Sequence, residues 1–440
     1  MSQTSFPEKH TVHLITLGCP KNYVDSEFLA RQLKENGYPI IHNPETPSGI
    51  VLLNTCGFIQ DARQESIDAI LELIELKKQG NIEKIILFGC LVQRYVNELK
   101  AELPEVDAFF GIDREVEILR YVNALYHENL KHERVLSTPP HYAYLKIAEG
   151  CDRHCAFCAI PDIRGKYKSK PSEDIILEAR RLAEKNVKEI ILIAQDTTYY
   201  GIDLNKQAQL PDLVETMVNS INIPWLRLHY LYPASFPPAL LDVVSSYSKI
   251  CKYIDIPIQH ISHNMLSVMR RGIGKEQTIQ LLHTIRERVP GVHIRTTLIT
   301  GHPGETEKDF IELLDFVKQF RFDRLGVFIY SHEEGTYSAE QYSDNIPESV
   351  KQSRMEAIME AQQQISLEKN QEKTGKTFRV IIDREEEDYY IARTEFDAPE
   401  IDNEVLIEKN KPLTTGKFYN VKIKEAEVYD LFGEAENTDK

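Results

Sequence analysis

Cys151, Cys155 and Cys158 stand in EGCDRHCAFC with the spacing C-x3-C-x2-C, and few folds can bring three thiolates so close in sequence onto one core. Such thiolates wrap a single inorganic centre, and three protein ligands on a 4Fe–4S cube leave one iron open for chemistry. A structural zinc site would instead close its coordination with a fourth Cys or His. His154 lies inside the loop, but a side chain wedged between two ligands seldom reaches the same metal, so the iron–sulfur reading is preferred to zinc.

The chain has 440 residues, 42% of them hydrophobic, and contains no apolar run near the ~18 residues of a membrane span. About two to four soluble domains are expected, with no membrane partner. The start, MSQTSFPEKHTVHLITLG, lacks a basic segment followed by an apolar run and a cleavage site, so a cytoplasmic location is expected. In that reducing compartment, closely spaced cysteines are metal ligands rather than disulfide partners. A formal net charge of -16 repels phosphate backbones and favours a basic partner.

Residues 12–18, 50–55 and 84–89 are short β-branched runs of the kind that form buried parallel strands. Helical patterns separate them: SEFLARQLKENG, opened by Asp25-Ser26 and stopped at Gly37, and DARQESIDAILELIELKKQG, with Ile67, Ile70, Leu71 and Ile74 at helical spacing. This order predicts a doubly wound α/β domain. Each of the three strands ends in a cysteine, Cys19, Cys56 or Cys90, and ligands of open α/β sheets collect beyond the carboxyl ends of strands. The three are read as a second metal site, the alternative being small core hydrophobes.

A charged, Pro-containing stretch near residues 130–140 marks a boundary. Beyond it YAYLKIAEG, EIILIAQD, WLRLHYLYP, YIDIPIQH, HIRTTLITG and RLGVFIY alternate with helical segments, which predicts a partial (β/α)6 barrel with its active face at the strand C-termini. The cysteine loop follows the first of these strands, while Gln195, Asp196, His260 and Gly301 end others. After residue 373, FRVIID, YYIARTE, EVLIEK and FYNVKIKEAEV predict a small antiparallel β-barrel. Between positions 371 and 440, 18 acidic residues outnumber 11 basic ones, which suits a basic protein better than tRNA.

The cysteine loop, with Phe157 before its last Cys, resembles that of the radical S-adenosylmethionine enzymes. An N-terminal cluster domain (residues 1–132), a radical domain (138–372) and a C-terminal TRAM β-barrel (373–440) together resemble one branch of them, the methylthiotransferases. LGCPKNYVDSE, NTCGFIQDARQESI and FGCLVQR carry the N-terminal likeness, and it covers nearly the whole chain. That branch modifies either an isopentenylated adenosine beside the tRNA anticodon or an aspartate of small-subunit ribosomal protein twelve. LGCPKNYVDSE is similar to the ribosomal-protein enzymes, since the tRNA enzymes usually have Gln-Met-Asn where Pro20, Lys21 and Asn22 stand. YLKIAEGCDRHCAFCAIPDIRG, AQDTTYYG, PIQHIS and MRRG point the same way.

The resemblance implies two 4Fe–4S clusters, one on Cys151, Cys155 and Cys158 that binds S-adenosyl-L-methionine, the other on Cys19, Cys56 and Cys90 that carries sulfur. Both open irons must then face one cavity between the first two domains. It further implies an electron donor such as flavodoxin or ferredoxin, and no catalytic side chain beyond the cluster ligands. Phe157, Gln195 and Arg295 are the candidates for cofactor contacts, the last two for the methionine part. Methylthiolation of tRNA is the alternative, and a non-catalytic iron–sulfur scaffold a third reading. Two positions depart from the family pattern: His302 in Gly-His-Pro-Gly-Glu, where Phe is usual, and Ser169-Lys170, where Ser-Arg is common. Cys251 matches no ligand position and reads as an ordinary semi-buried thiol.

Overall fold

The computed structural model describes residues 11–436; the first ten residues, on which the reading of the N-terminus partly rests, and the last four lie outside the described residues. Five parallel strands open the fold: β1 (Val12–Thr16), β2 (Ile40–His42), β3 (Gly49–Thr55), β4 (Ile82–Gly89) and β5 (Ala108–Phe110), in the order β2-β1-β3-β4-β5. The expected strands are β1, β3 and β4. β2 and β5, three residues each at the sheet edges, are too short to show a period in the sequence. Helix α1 (Pro20–Glu35) packs Leu29 and Leu33 on Leu14 and Leu52, whereas α2 (Gln60–Lys78) packs Ile70 and Ile74 on Val51 and Leu53 of the other face. Burial on both faces explains why β3 reads as continuously apolar. The strand order reverses between β1 and β3, and a crevice opens where their helices depart to opposite sides. Helix α3 (Cys90–Glu102) follows β4 beside it.

The second unit begins with β6 (Tyr142–Lys146), which leads into the cysteine loop. A two-residue antiparallel pair, β7 (Ala148–Glu149) with β8 (Lys168–Ser169), ties the loop's ends together. Parallel strands β9 (Glu189–Ile193) and β10 (Trp225–Leu228) extend β6, and β11 (Tyr253–Asp255), β12 (His293–Thr300) and β13 (Arg324–Ile329) form a second parallel sheet. A bridge between Leu226 and Ile250, with the Leu231 N–H on the Asp255 carbonyl, curves the two sheets into the six-stranded partial barrel expected from the sequence. Ala143, Leu145, Ile190 and Leu192 pack on the surrounding helices, while Tyr142, Tyr144, Ile191 and Ile193 face a second cluster that receives Val24 from α1. The N-terminal domain thus fills part of the barrel left incomplete.

Strands β14 (Thr377–Glu385), β15 (Tyr389–Thr394), β16 (Glu404–Glu408), β17 (Phe418–Ala426) and β18 (Asp430–Ala435) close the C-terminal barrel. Four of its pairings are antiparallel as expected, but β16 and β18 run parallel, which closes the ring. Its segment 395–402 docks under the N-terminal ends of the central strands, opposite the cysteine loop. There Tyr253 donates to Asp402 at 2.7 Å, Tyr142 donates to Glu400 at 2.7 Å, and Arg324 pairs with Asp397. Part of this segment's acidity is therefore internal, and its net charge does not report on an external partner alone.

At this seam Glu189 is fully buried between Arg227, 2.6 Å away, and Arg393, which also meets Asp383 at 2.8 Å. Burial raises the carboxyl's affinity for a proton, yet the two guanidiniums outweigh it and hold Glu189 below the usual carboxylate range. Glu189→Ala leaves two buried cations short of a partner and should cost about 3–5 kcal/mol. Urea denaturation should show the lowered midpoint, and limited proteolysis should release the C-terminal barrel faster; unchanged values in both would contradict this account of the seam.

Candidate functional site

Three cysteines reach the crevice of the first domain from three strand ends. Cys19 caps α1 in extended backbone, Cys56 follows β3 with its N–H on the Ser66 hydroxyl at 3.0 Å, and Cys90 is the first residue of α3. Two glycines make this convergence feasible. Gly18 has φ +88°, and a Cβ there would lie 2.7 Å from the Cys56 Cβ. Gly89 has φ +99°, and a Cβ there would meet Asn54 Oδ1 at 2.3 Å. Only glycine adopts these angles cheaply and lets the strand ends touch.

The second trio rides on the loop between β7 and β8. Gly150, at φ +73°, lies where a Cβ would meet the Lys166 carbonyl at 2.1 Å, so the loop turns sharply before Cys151. Buried Ala156 pins the loop from two sides: its N–H donates to the Met269 carbonyl at 2.9 Å, and its carbonyl accepts from Ser338 at 2.7 Å. Arg271 places Nη1 2.9 Å from Cys155 Sγ and Nη2 2.7 Å from the Pro257 carbonyl, while the Tyr232 hydroxyl lies 3.3 Å from the same sulfur. Arg153 is held by Asp196 at 2.7 Å.

All six cysteines line one cavity of about 570 Å³ between the two domains. Phe157 and Gln195 line it too. Arg295 does not: its guanidinium is taken up by Asp255 at 3.0 Å and Asp402 at 3.5 Å, below the cavity floor. His260 is likewise structural, bound to Glu305 at 3.2 Å and accepting the N–H groups of Ile261 and Ser262, and His154 is exposed. Cys251 is buried among Trp225, Tyr253, Ile381 and Ala398 at the C-terminal seam, away from every other cysteine. His302 packs its ring on Phe157 at 6.4 Å and on Tyr330 at 4.8 Å, with Ser338 2.8 Å from Nε2. Burial pushes it down to about 4, so it serves as the neutral aromatic that Phe would otherwise be. Ser169 and Lys170 bind Asp203 and Glu178 outside the cavity.

Sequence reasoning missed the cavity's cations and tyrosines. Lys21, Arg153, Arg164, Tyr230, Tyr232, Gln259 and Arg271 line it as well. Lys21, Gln259 and Arg271 stand in LGCPKN, PIQHIS and MRRG, stretches already conspicuous as motifs but with no chemistry assigned to these side chains.

The two cysteine sets are held face to face by a network across the domain boundary. Lys146 meets Glu149 at 2.6 Å and Asp25 of α1; Arg164 meets Glu149 at 2.8 Å, Asp25 at 3.5 Å and Asn22 Oδ1 at 2.6 Å. Asn22 in turn donates to the Leu17 carbonyl at 2.8 Å, so the network ends at the Cys19 turn. On the far side Arg63 and Arg94 share Glu333, at 2.5 and 2.9 Å.

Burial pushes the Cys90 thiol up to about 12 and Cys151 to about 11, and raises Cys56 and Cys158 in the same direction. Burial outweighs the nearby Arg164, Arg153 and Arg271, so a thiolate here needs further positive charge, which a cationic iron–sulfur core would supply. Among the described residues no three His, Cys, Asp or Glu side chains converge closely enough for a single ion. A cube has its irons at separate corners and asks for a wider triangle of sulfurs. Each trio presents three thiols to the one cavity, a donor set that fits a cluster, with Arg271 Nη1 directed at the Cys155 sulfur.

A partial barrel bearing its C-x3-C-x2-C loop at the strand C-termini is the architecture of a radical SAM enzyme, and residues 145–317 match the Radical SAM superfamily. Residues 11–111 match the Uncharacterized protein family UPF0004, and residues 374–435 the TRAM domain. The chain is 52% identical over 430 residues to the ribosomal protein uS12 methylthiotransferase RimO of Parabacteroides distasonis, covering 98% of this chain and 100% of that protein. It is 52% identical over 432 residues to the protein of the same name in Bacteroides thetaiotaomicron, covering 98% and 99%. The chain belongs to the RimO family of ribosomal protein uS12 methylthiotransferases. Its fold is similar to that of the radical SAM methyltransferase TsrM from Kitasatospora setae, with TM-score 0.53 at 14% identity over 73% of this chain and 75% of that one. The cobalamin-dependent SAM radical enzyme OxsB gives TM-score 0.51 at 14% identity, over 80% and 56%.

The raised thiol values predict slow chemistry in metal-free protein. At pH 8, iodoacetamide should alkylate Cys90 on the order of a thousandfold more slowly than a free cysteine, with the rate rising only as pH approaches 12. Peptide mass spectrometry after timed quenching measures this, and alkylation as fast as in the urea-unfolded chain would refute it.

Proposed function

We propose that this chain transfers a methylthio group to the β-carbon of an aspartate of ribosomal protein uS12, using two 4Fe–4S clusters and S-adenosyl-L-methionine. The observation that carries the reading is the single cavity walled by both cysteine trios. Cys151, Cys155 and Cys158 hold the cluster that binds S-adenosyl-L-methionine, and Cys19, Cys56 and Cys90 hold the one that carries sulfur. When bound, these groups supply a 5′-deoxyadenosyl radical able to take hydrogen from an unactivated carbon, together with the sulfur and the methyl; no side chain does this.

The chain's own contribution is position and dryness. Phe58, Ile59, Phe157, Ile160 and Leu231 give the chamber apolar walls that exclude water from a reactive intermediate. Gln195 reaches the chamber from the end of β9 and offers an amide to the methionine part. Arg271 donates to Cys155, which stabilises negative charge on that sulfur. The network around Glu149 fixes the spacing of the two trios, so a substrate carbon can meet both reactive centres without leaving the chamber. A flavodoxin or ferredoxin supplies electrons, and the target is basic uS12 rather than tRNA. Among the described residues no helix is long and apolar enough to cross a membrane. The domains follow the boundaries 1–132, 138–372 and 373–440.

Two variants separate the roles of the trios. Cys155→Ala should abolish 5′-deoxyadenosine release, whereas Cys56→Ala should keep that release and lose sulfur insertion, provided iron content and circular dichroism show a folded domain. Mass spectrometry of uS12 and of total tRNA from a deletion strain identifies the target: uS12 should lose the methylthio mass increment and tRNA keep it. The reverse pattern would move the function to tRNA.

A further inference from the structure

We propose that Lys21 receives the carboxylate of the target aspartate, an inference that rests on reading the chain as an aspartate methylthiotransferase. Lys21 lines the cavity at the first turn of α1, two residues beyond Cys19, and is only 5% exposed. Its Nζ sits 3.4 Å above the ring centroid of Tyr230. Among the described residues it has no carboxylate within ion-pair distance and no hydrogen-bond acceptor.

The other cations of the cavity are committed. Arg153 is paired with Asp196, Arg164 with Glu149 and Asp25, and Arg271 with Cys155 and the Pro257 carbonyl. The acidic groups nearest in the fold are also spoken for: Asp25 and Glu149 by Lys146 and Arg164, Asp255 by Arg295 and the Tyr230 N–H. A buried ammonium resting on an aromatic face keeps three N–H donors unspent. A buried ammonium with no carboxylate paired to it is short of a counter-charge, and an arriving carboxylate supplies one.

The surroundings are built to hold that arrangement. Tyr230 keeps a left-handed backbone at φ 58°, pinned by its N–H on Asp255 at 2.9 Å, which sets its ring under the ammonium. Gln259, at φ 70°, lines the same cavity with an Oε1 that has no hydrogen-bond partner. Two strained non-glycine residues on one wall are characteristic of a site where strain serves binding. A carboxylate docked on Lys21 places the β-carbon one bond away, within a chamber that both trios face, and Gln259 Oε1 remains to accept a backbone N–H of the same segment.

The test uses reconstituted, anaerobic full-length enzyme and labelled uS12, either unaltered or with the target aspartate replaced by asparagine, with affinities read by fluorescence anisotropy. Wild type should prefer the aspartate form by about tenfold or more, the yield of a charge-assisted hydrogen bond. Lys21→Met should bring that preference to within about twofold, and Lys21→Arg should retain most of it, with iron content and urea midpoint matched among the three. Retained discrimination in Lys21→Met would overturn the assignment. So would equal binding of both forms by the wild type, or a loss confined to S-adenosyl-L-methionine affinity, which would assign Lys21 to the methionine carboxylate. Because uS12 modification in cells is measured separately, failure here does not count against the methylthiotransferase reading.

Discussion

The chamber lies between two domains that each carry one cysteine trio and that are held in one register by buried charge. Glu149, beside the cysteine loop, binds Lys146 and Arg164, and both cations reach Asp25 on the first helix. Surface ion pairs contribute little, but these groups are largely withdrawn from water, and removing one partner strands the others. Their cost in desolvation is offset by geometry: a network that satisfies carboxylates from two domains defines a distance as well as a contact. The Cys19 turn hangs from it through Asn22, so the sulfur atoms of one trio are referenced to the loop that holds the other.

Much of this was legible in the chain. The three cysteines at strand ends could be placed in one crevice because β-branched runs and intervening helical periods define a parallel sheet, and such sheets collect ligands beyond their carboxyl ends. What the pattern did not disclose was the strand order 2-1-3-4-5, since the edge strands Ile40–His42 and Ala108–Phe110 are too short to carry a signal. That order puts the reversal between the strands leading to Cys19 and Cys56, which explains why a glycine, Gly18, is needed where they touch. Gln195 and Phe157 line the cavity, a position that follows from local features, a strand end and a loop between ligands. Arg295 does not, because whether a barrel arginine faces the mouth or the floor depends on partners far off in sequence: Asp255 and, from the C-terminal segment, Asp402.

The same long-range effect qualifies the charge argument. Counting acidic residues after position 371 treats all of them as outward-facing, yet Asp397, Glu400 and Asp402 are spent on the floor of the central barrel. His302 shows the converse: a polar letter that looks like a departure behaves, once buried and neutral, as an aromatic plate against Phe157. Residue type sets what a side chain can do, and burial selects among those options.

The docking of the last domain beneath the strand N-termini has a geometric corollary. Chemistry opens at one pole of the central barrel and the acidic module is anchored at the other, so no single compact epitope touches both. A protein that engages both must drape along the flank, with its reactive tip bent inward over the rim at Phe328. Contact with both poles is thus a matter of reach along the barrel as well as of charge.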